Sequence, residues 1–261
     1  MSVIRKKFFG LASPRTTTSP HLDLEPSVTG YNSARIAKVV VAKNHHLIST
    51  MSAKDFPSLD LVLLRPLFLH TLIQSKEINV VDLGGGGGTH YHVFRKFAPA
   101  EMLIKWAVVE TDEMVKECQS LVNPELRFFT TLDQAKSHVE KVDVALASGS
   151  FPYMENPIKA LRSFLELGAE FLFITRTALS NNEKTIYRNQ KSRLKDNGPG
   201  DLPLEFQDAE VEYPLTVVSR EEFLKVIQED YEILCEIQEE KGAHKCNSEL
   251  IDQYGYLCKR K

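Results

Sequence analysis

The stretch Ile78 to His92 reads I-N-V-V-D-L-G-G-G-G-G-T-H-Y-H: a short apolar run, an acid at Asp82, then five glycines from Gly84 to Gly88. An apolar run closed by a turn signal reads as a buried strand, and the residues after the glycines can begin a helix. Glycine loses more backbone freedom on folding than any other residue. An ordered five-glycine turn therefore calls for something to approach the main chain closely, and a bound cofactor is the expected visitor.

Spacing narrows the cofactor. The dinucleotide fingerprint G-x-G-x-x-G/A, counted from Gly84 and Gly86, puts Thr89 at the third small position; counted from Gly85 it puts His90 there. A P-loop needs a lysine directly after its last glycine, and the first one here is Lys96. The register that fits is D-x-G-x-G-x-G on Asp82, Gly84, Gly86 and Gly88. The next apolar run, Ile104 to Glu110, also ends in a carboxylate, as the second strand of a doubly wound sheet does when its terminal acid grips ribose hydroxyls. The plainer roles are Asp82 capping loop amides and Glu110 beginning the helix at Thr111.

The 261 residues, 43% hydrophobic and 26% charged, suit one large α/β domain with an extension. A net charge of -3 gives no general attraction for nucleic acid or an anionic membrane. Cys118, Cys235, Cys246 and Cys258 are too far apart for a C-x-x-C pair and read as free thiols. His45 and His46 are adjacent, hence on different helix faces, and have no partner at ligand spacing, so no metal site is expected. The N-terminus lacks the apolar core of a secretory signal and no run of about 18 apolar residues occurs, so a soluble cytoplasmic protein is expected, an organelle transit peptide being the lesser alternative.

Residues 1–26, rich in Ser, Thr and Pro, read as a mobile arm, and 27–76 as a helical cap with helices from Ser33 and over Leu59 to Gln74. The domain proper, 77–261, alternates strands and helices: Thr89 as N-cap of a helix to Phe97, then Asp112 to Leu121, Leu126 to Thr130, Asp133 to Glu140, Val142 to Ser148, Pro157 to Leu167 and Phe171 to Thr175. His90 and His92 fall in the first turn of their helix, where the positive end disfavours protonation, though partly exposed residues without a role is the preferred reading. Residues 176–214 read as an irregular, polar insertion on the acceptor side. Ser219 caps a helix after it, and Tyr231 to Gln238 and Gln253 to Arg260 read as a strand pair at the sheet edge.

The set T-G-Y at Thr29 to Tyr31, V-D-L-G-G-G at Val81 to Gly86, A-V-V-E at Ala107 to Glu110, S-G-S-F-P-Y at Ser148 to Tyr153 and T-R-T at Thr175 to Thr177 resembles the class I S-adenosylmethionine (SAM) dependent methyltransferases, and a bacterial group among them whose acceptors are unsettled. The resemblance implies a Rossmann-like, seven-stranded doubly wound α/β sheet with the last strand antiparallel, and SAM as methyl donor. It assigns Asp82, Gly84, Gly86 and Gly88 to the methionine side of the cofactor, Glu110 to the ribose and Asp133 to the adenine. Ser148, Gly149 and Ser150 fall near the sulfonium. Phe151-Pro152-Tyr153 stands where amino-methylating relatives carry an Asn/Asp-Pro-Pro-Tyr-like motif; its missing polar residue favours an oxygen acceptor. Tyr153 and Arg176 are the candidate catalytic residues, the phenol to share a proton and the guanidinium to hold an anionic or polyhydroxylated small-molecule or glycan acceptor. The competing readings are an NAD(P)-dependent oxidoreductase and a non-catalytic SAM-binding sensor or assembly protein. No nucleophile elbow or metal-binding H-E-x-x-H occurs, so a hydrolase has no support.

Overall fold

A computed structural model describes residues 28–50, 76–182, 184–246 and 249–261. The expected arm and the expected helix over Leu59 to Gln74 lie outside the described residues.

Five parallel strands form the centre: β2 (Glu77–Leu83), β3 (Leu103–Val109), β4 (Leu126–Phe129), β5 (Val144–Ser148) and β6 (Phe171–Ser180). Their order is β4-β3-β2-β5-β6, so the chain reverses its winding between β3 and β5, on either side of β2. Two more strands, β9 (Tyr231–Cys246) and β10 (Glu249–Arg260), extend the sheet beyond β6, with β10 antiparallel between β6 and β9. This is the seven-stranded, Rossmann-like sheet with an antiparallel last strand that the resemblance implies. In such sheets ligands bind at the carboxyl edge beside the switch point, which here is the end of β2.

Strand alternation divides the core. Val80, Trp106, Val108 and Leu146 pack on one face with α1 (Ala34–Thr50) and α2 (Thr89–Phe97). Val81, Ala107, Ala145 and Leu172 face the other side, under α4 (Leu132–Val139), α5 (Pro157–Leu165) and α6 (Arg220–Asp230). Because helices cover both faces, the strands are apolar nearly throughout. The short α3 (Asp112–Glu117) starts at its N-cap Thr111, whose side chain accepts from the Met114 N–H.

Two expectations change. Thr89 does not cap α2: Gly88 occupies the N-cap in the left-handed conformation, and the Thr89 hydroxyl donates instead to Asn44 Oδ1 of α1 at 2.9 Å. Residues 176–214 are irregular only in part, chiefly over 197–209. β6 continues to Ser180, and β7 (Ile186–Arg193) forms an antiparallel pair with β8 (Glu210–Ser219), from Ile186 opposite Val217 to Arg193 opposite Glu210. β7 is an edge strand exposed along one side, so its residues Ile-Tyr-Arg-Asn-Gln-Lys-Ser-Arg are mostly polar and its alternation is easily mistaken for a loop. β8 joins the end of β6 through Leu179 and Ser180, beyond the end of β5, and β1 (Val28–Thr29) runs parallel to it. The hairpin thus stands at the carboxyl edge.

Candidate functional site at the carboxyl edge

The glycine turn follows β2. Gly84, Gly86 and Gly88 have φ of 72°, 56° and 76°, so every second glycine takes the left-handed conformation that a side chain rarely adopts. Their neighbours correct the expectation that the glycines make room chiefly for a visitor. A Cβ on Gly84 would lie 2.5 Å from Ser150 Oγ, on Gly85 2.6 Å from the Asp82 carboxylate, on Gly87 2.6 Å from Asn44 Nδ2 and on Gly88 2.9 Å from Leu126 Cδ2. The turn is wedged among α1, β4 and the end of β5, and its own chain fills those positions. At Gly86 the nearest atom is Val40 Cγ1 at 3.4 Å.

Asp82 lies beneath this turn, fully buried. Its Oδ2 accepts from Trp106 Nε1 at 3.3 Å and lies 3.2 Å from His90 Nδ1, while Oδ1 has no partner among the described residues. Glu110 follows β3. Its Oε1 accepts from the Gly86 N–H at 2.9 Å and its Oε2 from the Thr111 N–H at 3.0 Å, so one carboxylate ties the turn to the start of α3. Burial pushes its pKa up, the two N–H groups oppose that, and the nearby Asp82 charge adds to it. Both Asp82 and Glu110 therefore touch the turn, as the register required. The Cys118 thiol points at Gly86 O from 3.8 Å and burial pushes its pKa up to about 12, which keeps it an unreactive thiol.

His90 and His92 are both buried, against the expectation of partial exposure. Burial holds the His92 pKa down to about 4, so its imidazole is neutral at physiological pH.

Across the edge, β5 ends in Ser148-Gly149-Ser150. The Ser150 hydroxyl donates to Leu83 O at 2.5 Å, the Gly149 N–H to Thr175 O at 2.9 Å, and Thr175 Oγ1 to Ser148 Oγ at 3.0 Å. The structure thus joins the glycine turn, the end of β5 and the end of the central part of β6. Tyr153 follows in a single 3-10 turn, Phe151–Tyr153. Its hydroxyl donates to Gln190 Oε1 of β7 at 3.0 Å. Its ring meets Tyr31 edge-on at 4.8 Å, and Tyr31 stacks on Tyr213 of β8 at 4.2 Å. The pairing of β1 with β8 brings Tyr31 there, so this tyrosine joins the hairpin. Burial, and secondarily Tyr213, raises the Tyr153 pKa, so the phenol keeps its proton; Arg176 works in the opposite direction.

Arg176 sits in an irregularity of β6 opposite Gly255, where the register to β10 shifts. Its φ of 54° is left-handed, which costs a side-chain-bearing residue about 1–2 kcal/mol. The Glu239 carboxylate accepts from its N–H. Gly255 permits this contact, since a Cβ there would lie 3.0 Å from Glu239 Oε1. The guanidinium extends over Gly149: a Cβ on that glycine would be 3.9 Å from Arg176 Cζ.

Asp133 is the member of the expected set that stands apart. It is exposed in the first turn of α4, which Thr131 caps, and it lines an open groove with Phe128, Phe129, Gln134 and His138. No contact between it and the glycine turn is among those described.

Comparison with solved structures finds methyltransferases. A SAM-dependent methyltransferase from Clostridium acetobutylicum ATCC 824 is 12% identical, with a TM-score of 0.49 over 84% of this chain and 98% of that one. The CcbJ methyltransferase from Streptomyces caelestis is 14% identical, with a TM-score of 0.48 over 81% and 99%. The N-terminal domain of EvdMO1, crystallised in the presence of SAH and D-fucose, is 14% identical, with a TM-score of 0.47 over 79% and 85%. At these scores the likenesses add nothing to the strand order itself. No family model and no curated protein matches the sequence.

Sequence reasoning missed Trp106, Asn44, Gln190, Tyr213 and Glu239. A signal existed for the first: an indole inside an apolar strand needs an acceptor for its N–H, and Asp82 was the nearest acid on the adjoining strand. The others act through tertiary contacts that no spacing reveals.

Proposed function

We propose that this chain is a SAM-dependent methyltransferase acting on an oxygen of a small-molecule or glycan acceptor. The observation that carries the reading is Glu110, at the end of β3, bonded to the Gly86 N–H of an alternating left-handed glycine turn at the switch point of the sheet. A carboxylate offers about four lone-pair positions, and the two N–H groups occupy two, which leaves acceptors for a pair of ribose hydroxyls. The donor set therefore fits an adenosyl cofactor. In this reading Asp82, Gly84, Gly86 and Gly88 shape the methionine side, Asp133 the adenine side, and Ser148, Gly149 and Ser150 the surroundings of the sulfonium. When bound, SAM supplies a methyl group already activated on sulfur, so the protein's task is to hold the nucleophile in line and exclude water.

Oxygen is favoured because the Asn or Asp that opens the motif of amino-methylating relatives is absent here, and Phe151, next to Pro152 and Tyr153, is a core residue packed edge-on against Phe164 and Phe223. Tyr153 and Arg176 line the acceptor side. Among the described residues no helix is long and apolar enough to cross a membrane, and Cys118, Cys235 and Cys258 are free thiols, in keeping with a cytoplasmic location. Calorimetry tests the reading: heat is expected from SAM and S-adenosylhomocysteine and none from NAD or NADP. Binding of a nicotinamide cofactor without either adenosyl ligand overturns it.

A further inference from the structure

Resting on the methyl-transfer reading, we propose that the acceptor is a carboxylate, that the guanidinium of Arg176 holds it, and that the product is a methyl ester. The position of the cation is the first ground. Arg176 is exposed at the carboxyl edge, over Gly149 and beside Tyr153, and among the described residues no carboxylate pairs with its guanidinium. Glu239 meets Arg176 at the backbone N–H. A planar guanidinium presents paired donors that match the two oxygens of a carboxylate.

The second ground is how firmly the residue is set. Its left-handed backbone, the Glu239 contact and the Gly255 gap that admits it all fix where the side chain leaves β6. A surface arginine without a role needs none of these.

The third is the scarcity of bases at this edge among the described residues. Tyr153 donates to Gln190 and burial keeps it protonated. Ser150 and Thr175 direct their hydroxyls to Leu83 O and Ser148. His90 lies against Asp82, and His92 takes a proton only near pH 4. Glu110 is engaged by Gly86 and Thr111. A hydroxyl acceptor must give up a proton to such a group, whereas a carboxylate has none to lose. A carboxylate lone pair forms the new C–O bond as the S–CH3 bond breaks, its electron pair stays on sulfur, and a neutral ester and a neutral thioether result without proton transfer.

The test incubates the full chain with methyl-labelled SAM and a polar small-molecule extract of the producing cells, then treats the labelled products with mild alkali. Methyl esters release volatile methanol, while ethers and methylamines do not. Volatile label is expected; alkali-stable label overturns the carboxylate acceptor. No label at all, in a protein that binds S-adenosylhomocysteine, overturns the methyl-transfer reading and this proposal with it. Arg176→Asn, a residue that tolerates the left-handed backbone, should lower kcat/KM for the labelled acceptor roughly 10- to 100-fold with S-adenosylhomocysteine affinity unchanged. Undiminished ester formation in that variant removes Arg176 from the site. Glu239→Ala should raise the acceptor KM, and Glu239→Gln, whose amide oxygen can still accept the N–H, should restore it; an unchanged KM in the alanine variant ends the positioning role of Glu239.

Discussion

The two sides of the carboxyl edge are built by different means. On the glycine-turn side, side chains close directly on bare main chain: left-handed glycines, a carboxylate on the Gly86 N–H, and Cβ positions already filled by Ser150, Asp82, Asn44 and Leu126. On the hairpin side, side chains meet side chains: Tyr31 on Tyr213, Tyr153 on Gln190, and Arg176 over Gly149. The first construction admits almost no substitution. The second lets the rings and the cation vary while the strands stay in place.

Alanine at one glycine from each side measures the contrast. Gly84→Ala meets Ser150 Cβ at 2.8 Å as well as a φ of 72°, so backbone strain and overpacking add to roughly 2–5 kcal/mol of lost stability. Gly149→Ala has a similar φ of 69°, but its nearest atom is 3.7 Å away, and only the strain of about 1–2 kcal/mol remains. Chemical denaturation of both variants reads the difference. Equal losses would mean that the turn is no more tightly packed than the end of β5.

This contrast also explains what could be read beforehand. The glycine-turn side is local in sequence: strand, acid and glycines lie within Ile78 to His92, and Glu110 ends the next strand, so spacing located both carboxylates and the register. The hairpin side draws Tyr31, Tyr153, Gln190, Tyr213 and Glu239 from five separate segments, and only the pairing of β1, β7 and β8 brings Tyr31, Gln190 and Tyr213 together. Tyr153 and Arg176 were legible because each directly follows a central strand or lies within its extension. Their surroundings were not. β7 itself was hidden because an edge strand's polar residues carry little of the apolar signal that marks a buried one.

Acid should loosen the glycine-turn side first. His92 is neutral when folded, with a pKa of about 4 against ~6.5 when unfolded, so its contribution is complete above pH 6.5 and is lost as pH falls towards 4, at a cost of about 3 kcal/mol. Glu110 acts in the opposite sense, because its raised pKa makes the folded state gain rather than lose stability as the carboxyl protonates. The difference between wild type and His92→Gln across pH 7 to 4 isolates the histidine. A constant difference over that range would show that His92 is solvated or partnered in solution.

Glu110 sharpens the comparison from the ligand side. Glu110→Gln retains one oxygen for a backbone N–H but loses the charge and an acceptor, so SAM affinity should fall by about 1–3 kcal/mol while the thermal transition survives. Wild-type affinity should also decline as pH falls through the raised pKa of this carboxyl, and the glutamine variant should not follow it. Unchanged affinity at neutral pH would leave Glu110 with the structural task of tying Gly86 to Thr111.

The smallest effect is expected at Asp133, and it decides how far the cofactor side extends. The residue is exposed, it does not cap its own helix, and the groove it lines opens along α4. An exposed carboxylate in the first turn of a helix interacts with the helix dipole by about 0.3–1 kcal/mol, a term that Asn keeps only in part. A single hydrogen bond from an adenine amine to such a solvated acceptor adds about 0.5–1.5 kcal/mol. Asp133→Asn retains a side-chain oxygen as acceptor, so stability and SAM affinity should each change by less than about 1 kcal/mol. Calorimetry with SAM and with its ring-altered analogue lacking the adenine amine distinguishes the possibilities. If Asp133 meets the adenine amine, the variant loses part of the wild-type preference for SAM over the analogue. If the preference is untouched, the adenine is held by other residues and the groove along α4 lies outside the cofactor side.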